Sequence, residues 1–255
     1  MSSDPLPYRE FYYPLNVFMH ILTHEEGGVS ALHYGLFASP DEGIAAAQER
    51  STAMLLERLP PPPARLLEAG IGLGTTLELL TRIGYDVTGI TPDAQQIAMV
   101  NERYGDAVRV RCAKFEEFDE GATYDAIVFQ ESSQYIASEA LFARAKALAP
   151  LVVVLDEFSL KPIDTPGALH ALSEFLEAAD RHGFEVTEEV DLSAQAAPSI
   201  DYFTQRFPRY RNALIADLGL TSQQVDELIA GGVVYSGRYA DGTYGYRLLR
   251  LERRT

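Results

Sequence analysis

The stretch Leu66-Leu67-Glu68-Ala69-Gly70-Ile71-Gly72-Leu73-Gly74 constrains the fold of this chain more than any other. A buried-looking apolar run ends in three alternate glycines, and a helical pattern over residues 75–83 follows at once. Glycine reaches left-handed dihedrals without steric cost and lets the backbone approach a ligand closely. A strand that turns through such a loop into a helix also aims backbone N–H groups at whatever binds there. A dinucleotide fold would want G-x-G-x-x-G or G-x-G-x-x-A. Here the third glycine comes one position early, with Thr75 in its place, and Ile90-Thr91 stands where an acid would hold a ribose. Both departures count against a dinucleotide. A plainer alternative is a glycine turn that only packs a helix on a strand.

The rest of the 255-residue chain continues the alternation. Strand-like runs cover 65–69, 85–90, 108–112, 124–129, 151–155, 184–190 and 244–251. Ser39, Pro40 and Glu42 form a helix-starting pattern for residues 39–59, and Pro60 to Pro63 stop that helix. Further helical patterns run from Thr91-Pro92 to Gly105 and over 139–148, 165–182, 199–218 and 221–230. Regular alternation of this kind predicts an α/β fold, one doubly wound sheet with helices on both faces. A single domain over 1–255 is expected, with a cover segment at 1–38 and a substrate-cover insertion at 193–232.

Composition limits the partners. With 37 acidic and 21 basic residues the net charge is -16, a field that repels nucleic acid and anionic membrane surfaces. Arg247, Arg250, Arg253 and Arg254 read as the solvated face and frayed end of a last strand. No run approaches the roughly 20 apolar residues of a membrane span. Residues 1–8 lack the basic and apolar regions of a secretory signal, and Cys112 alone makes no internal disulfide. A cytoplasmic location is expected. Cys112, ending a strand-like run, reads as a small core hydrophobe.

An acid two positions before G-x-G-x-G resembles the first motif of class I S-adenosyl-L-methionine (SAM)-dependent methyltransferases. Gly89-Ile90-Thr91-Pro92-Asp93-Ala94-Gln95-Gln96 resembles the G-(V/I)-T-x-x-x-x-Q segment of their cyclopropane-fatty-acid-synthase-like branch. Phe115-Glu116-Glu117-Phe118 is similar to that branch's aromatic–acidic pair at the adenine, and Tyr124-Asp125-Ala126-Ile127-Val128 to its fourth strand. The resemblance runs from about Ala31 to Glu157. It implies a Rossmann-like fold with a seven-stranded, mostly parallel sheet, SAM as cofactor and S-adenosyl-L-homocysteine as product. It also implies cofactor contacts from Glu68, Gly70, Gly72, Gly74, Thr91, Gln96, Phe115 and Glu116. His33 and Tyr34, within Leu32-His33-Tyr34-Gly35-Leu36-Phe37, fall where relatives fold a short segment over the methionine half.

The resemblance breaks past the fourth strand. Cyclopropane synthases carry a Glu–His pair there and use bicarbonate to take a proton. This chain has Gln134 and Tyr135 instead, which argues against cyclopropanation and for plain methyl transfer. A sulfonium methyl needs only an aligned nucleophile and, for some acceptors, a base. Glu131 is the acid expected within reach, as a general base or as an anchor for the cofactor's ammonium group or the substrate, with Tyr135 and His33 as further catalytic candidates.

No metal is expected. His20 and His24 share a helix face at a spacing that can bind one, but no third ligand stands at a motif distance, so they read as helix or lid histidines. Asp156-Glu157 follows the fifth strand without the other carboxylates of a Mg²⁺ site and reads as substrate pocket or solvated surface. Aromatics crowd the lead-in (Tyr8, Phe11, Tyr12, Tyr13, Phe18) and the late insertion (Tyr202, Phe203, Phe207, Tyr210). Such walls suit a flat, apolar or cationic small molecule. The expected function is SAM-dependent methyl transfer to nitrogen or carbon of a small organic acceptor, in specialised metabolism. The alternatives are O-methylation, action on a lipid chain, or a SAM-binding sensor without catalysis.

Overall fold

Strand β1 (Arg65–Ala69) lies inside a seven-stranded sheet, flanked in parallel by β2 (Asp86–Thr91) and β4 (Ala126–Gln130). The computed structural model describes residues 9, 11–39, 41–163 and 169–254. With β3 (Arg109–Cys112), β5 (Leu151–Ser159), β6 (Phe184–Asp191) and β7 (Tyr244–Arg253), the order is β3-β2-β1-β4-β5-β7-β6. Only β7 runs antiparallel to its neighbours. This is the expected α/β, Rossmann-like, mostly parallel sheet.

Alternate residues of the central strands serve two cores. Leu66, Val128, Val153 and Leu248 meet α2 (Ile44–Leu56), α3 (Thr75–Arg82) and α4 (Ala94–Tyr104) on one face. Leu67, Ile127, Val154 and Leu249 meet α5 (Ser138–Leu148) and α6 (Leu172–Arg181) on the other. Burial on both faces is why these strands read as continuous apolar runs. A third core joins α1 (Leu15–Glu26) to α7 (Ser193–Leu218) and α8 (Ser222–Ala240) through Val17, Ile21, Phe203, Phe207 and Val225. These three helices form the cover over the sheet's carboxyl edge.

Several expectations need correction. Helix α2 starts at Ile44, because Glu42 spends its carboxylate on Arg50 and on the Ala38 N–H instead of closing a capping box. Pro40 lies outside the described residues, as does Tyr8. Asp93, not Thr91, caps α4, accepting from the Gln95 and Gln96 N–H groups. Residues 164–168, the first part of the expected 165–182 helix, are also outside the description, and α6 begins at Leu172. Helix α7 starts before Pro198 and α8 runs through Gly231 and Gly232 to Ala240. Strand β5 extends to Ser159, so Asp156 and Glu157 lie within it. Cys112 is exposed, since β3 is an outer strand with little above it. Arg247 is buried and paired with Asp191 and Glu189, so the last strand's arginines are not all a solvated face.

Candidate active site

A cavity of about 1300 Å³ opens at the carboxyl edge of the parallel strands, beneath the cover helices. Its floor is the glycine loop, where Gly70, Gly72 and Gly74 have φ of 84°, 50° and 74°. The three glycines do different things. A side chain on Gly70 would run into Ser132, 2.3 Å from its Cβ, and one on Gly74 would meet Val100 at 2.9 Å. A side chain on Gly72 would meet only Leu32, at 3.5 Å, and would otherwise enter the cavity. Gly74 therefore packs α3 against α4 and does not line the cavity, whereas Gly70 and Gly72 do.

Thr91, at the end of β2, donates its hydroxyl to Gln96 Oε1 at 2.9 Å, and both buried side chains line the same wall. Phe115 packs edge-on to Phe129 at 5.0 Å, with the exposed Glu116 beside it at the rim. Glu68 lies behind this wall. It is buried, its Oε2 has no hydrogen-bond partner, and desolvation pushes its carboxyl up to about 8.

The opposite wall is built around carboxylates. Glu131 follows β4 with a φ of 54°, the one positive value outside glycine among the described residues. Its Oε1 accepts from the Tyr34 N–H at 2.5 Å and the Tyr246 hydroxyl at 2.6 Å, and the residue lines the cavity. Burial, and next the charge of Glu157, push the Glu131 carboxyl well above its ordinary range. Glu157 accepts from Tyr239 at 2.6 Å and Tyr235 at 3.0 Å, and burial raises it to about 7 despite those bonds. Asp156 accepts from the Ser133 N–H and hydroxyl at 2.9 and 2.6 Å, and burial raises it to about 6. The Tyr34 and Tyr246 rings stack with centroids 6.0 Å apart, joining the lid segment to β7.

A family model described as a methyltransferase domain matches residues 67–154, the stretch that carries the glycine loop, Thr91, Gln96, Phe115 and Glu131. Residues 67–154 thus match a methyltransferase domain, and the sheet order is the fold of solved methyltransferase-like structures. A ubiquinone biosynthesis O-methyltransferase of Nitrobacter winogradskyi is 33% identical over 81 residues, 31% of each chain. The chain thus aligns with about a third of the length of the curated relatives it matches. A cyclopropane synthase of Mycobacterium tuberculosis superposes with a TM-score of 0.77 at 18% identity, over 88% of this chain and 90% of that one. The (4+2)-cyclase SpnF superposes equally well, at 20% identity over 99% of both chains.

Three expected residues take particular places. His33 lines the cavity, but both ring nitrogens are engaged, Nδ1 with Tyr34 O at 3.0 Å and Nε2 with Thr52 Oγ1 at 3.2 Å. Thr52 Oγ1 also accepts from Gln130, whose Oε1 accepts from Thr76. Burial lowers His33 to about 4, so the imidazole is neutral and orients the lid segment. Tyr34 contributes its backbone to Glu131 and its ring to the wall. Tyr135 stands at the mouth, 79% exposed.

The sequence reading missed Tyr235, Tyr239 and Tyr246. The first two are four apart on α8, where Gly232 lets the helix pack closely on α7, since a side chain there would sit 2.8 Å from Thr204. Tyr246 had none. Of the late aromatics, Phe203 and Phe207 line the cavity, while Tyr202 and Tyr210 turn to Glu26 and Glu25. Among the described residues no helix is long and apolar enough to cross a membrane.

Proposed function

We propose that the chain catalyses SAM-dependent methyl transfer to a nitrogen or carbon atom of a small organic molecule, and that a basic nitrogen is the preferred acceptor. The carrying observation is the carboxylate wall: Glu131, Asp156 and Glu157 are held under aromatic rings in the cavity that the glycine loop floors. The loop side fits the cofactor, because Gly72 leaves open the space a side chain would fill and Thr91, Gln96, Phe115 and Glu116 share its wall. Bound there, SAM supplies an electrophilic methyl on a sulfonium.

The chain's own residues then do three things. Thr91, Gln96 and Glu116 offer polar partners to the nucleoside, and Phe115 an aromatic edge. Tyr12, Phe18, Phe203 and Phe207 exclude water from the acceptor end. Glu131 lines this end of the cavity and, when ionised, takes or holds the acceptor's proton; burial raises its carboxyl, so a cationic acceptor beside it favours the ionised form. Six carboxyls on the lining (Asp93, Glu116, Glu131, Asp156, Glu157, Glu227) face one lysine, Lys114. A cation bound beside Glu131, Asp156 and Glu157 favours their ionised forms, so the lining suits a cation better than an anion.

The test is turnover with SAM across a panel of small amines, enols and phenols, read as S-adenosyl-L-homocysteine release and a product heavier by one methylene. Amines reacting fastest supports this reading. O-methylated products from phenols would favour the second reading, which the name of the Nitrobacter winogradskyi relative motivates. SAM binding with no product from any class would favour a sensor.

A further inference from the structure

The cover of the cavity carries a cluster of side chains that methyl transfer does not use. His20 and His24 project from one face of α1, and α7 brings Asp217 to them from 197 residues beyond His20. One ligand atom from each of the three lies within 4.8 Å of the others. His20 Nε2 stands 2.8 Å from Asp217 Oδ2, and the two imidazoles stack with centroids 4.2 Å apart. His24 donates Nδ1–H to the His20 carbonyl at 2.8 Å, which fixes the tautomer with the Nε2 lone pair outward. That arrangement is what metal-ligating histidines use to orient their rings. Tyr210 lies edge-on to both rings and holds them in place.

We propose that His20, His24 and Asp217 bind a divalent transition metal, zinc by the ligand set, and that the ion clamps α1 to α7 across the cavity's cover. Two imidazoles and a carboxylate are a three-ligand zinc set, with a water completing the tetrahedron. The surrounding charges agree. Glu25, one position beyond His24, is already taken by Arg206, Arg209 and Tyr210. The Asp217 carboxylate pairs with His20, and Arg9 spends its Nε–H on the Asp217 backbone carbonyl, so no arginine or lysine among the described residues pairs with the carboxylate itself.

A tetrahedral zinc wants ligand atoms about 3.3 Å apart, so on binding the His20–Asp217 pair, now 2.8 Å apart, opens slightly while His24 moves in. His24 and Asp217 lie toward solvent and are the ones free to move. The consequence reaches the cavity, because α1 carries Phe18 and α7 carries Phe203 and Phe207, with Phe18 and Phe203 in contact at 4.8 Å.

The experiment is calorimetric titration of the chelator-stripped full chain with zinc chloride, with a cobalt titration read by visible absorption. The expected result is one ion per chain, a tetrahedral cobalt spectrum and a raised Tm in the presence of zinc. His24→Ala and Asp217→Asn, at accessible positions where the fold survives, should each weaken binding by about 10-fold or more, while His182→Ala and Cys112→Ser leave it unchanged. Absence of saturable binding overturns the site. So does binding that His24→Ala leaves intact, or binding that Cys112→Ser abolishes.

Discussion

Glu131 and Tyr246 stand 115 residues apart in the chain and share a hydrogen bond of 2.6 Å. The same Glu131 oxygen takes the Tyr34 N–H, so one carboxyl joins the end of β4 to the last strand and to the lid segment. Both bonds fall on one oxygen, Oε1.

Glu131→Gln keeps an oxygen for both donors, so fold and SAM affinity should survive. Turnover should fall by about 10²-fold if Glu131 is the base, the usual scale for one acid–base group. Glu131→Ala orphans the Tyr34 N–H and the Tyr246 hydroxyl and should also cost about 1–3 kcal/mol of stability. Steady-state rates and chemical denaturation of both variants check this. Equal turnover in Glu131→Gln and wild type removes the base assignment.

Glu157 links the site to pH. If its charge helps hold a cationic acceptor, kcat/KM should rise as pH passes through about 7. The Tyr239 hydroxyl favours the charged form, so Tyr239→Phe should move the midpoint upward by about 1 pH unit. A midpoint that stays in place in the variant assigns the titration to another group.

Glu68 should act on stability. Its folded pKa of about 8 lies above that of an unfolded glutamate, so its favourable contribution is complete below about pH 4.5 and lost as pH rises through 8. Glu68→Gln should match wild type near pH 5 and exceed it at pH 9 by up to roughly 4 kcal/mol in the cofactor-free chain. Denaturation midpoints across that range decide it. Parallel curves for the two proteins would mean that Glu68 is ionised and partnered.

Gly72→Val places a branched side chain at a φ of 50° and into the cavity. The backbone cost is about 1–2 kcal/mol, whereas SAM binding should collapse. Calorimetry showing near-normal affinity would move the cofactor away from the loop.

Glu116→Ala should weaken SAM and S-adenosyl-L-homocysteine alike by about 1–3 kcal/mol, the loss of a charged hydrogen-bond partner at the rim. Identical affinities would make Glu116 a solvated charge.

The loop side of the site was legible because its parts are local. Glycines in a strand–helix turn, Thr91 with Gln96 five residues on, and Phe115 with Glu116 are each set by neighbours in sequence. The acceptor side was not, because its pairs are tertiary: Glu157 meets Tyr235 and Tyr239 at separations of 78 and 82 residues. Cys112 shows the same limit in the fold. Its segment has a strand's pattern, but only the order of the strands leaves β3 at an edge with its thiol in solvent. Pro198 and the Gly231-Gly232 pair misled for a related reason, since helix packing overrode local breakers in α7 and α8.

The antiparallel β7 is last in sequence yet lies between β5 and β6, so β6 is joined to the sheet only through it. The strands around the glycine loop pair without β7, whereas Glu131 meets Tyr246 only when β7 is in place. Losing β7 would thus strand β6 and strip Glu131 of its phenol while leaving every parallel pairing of the sheet possible.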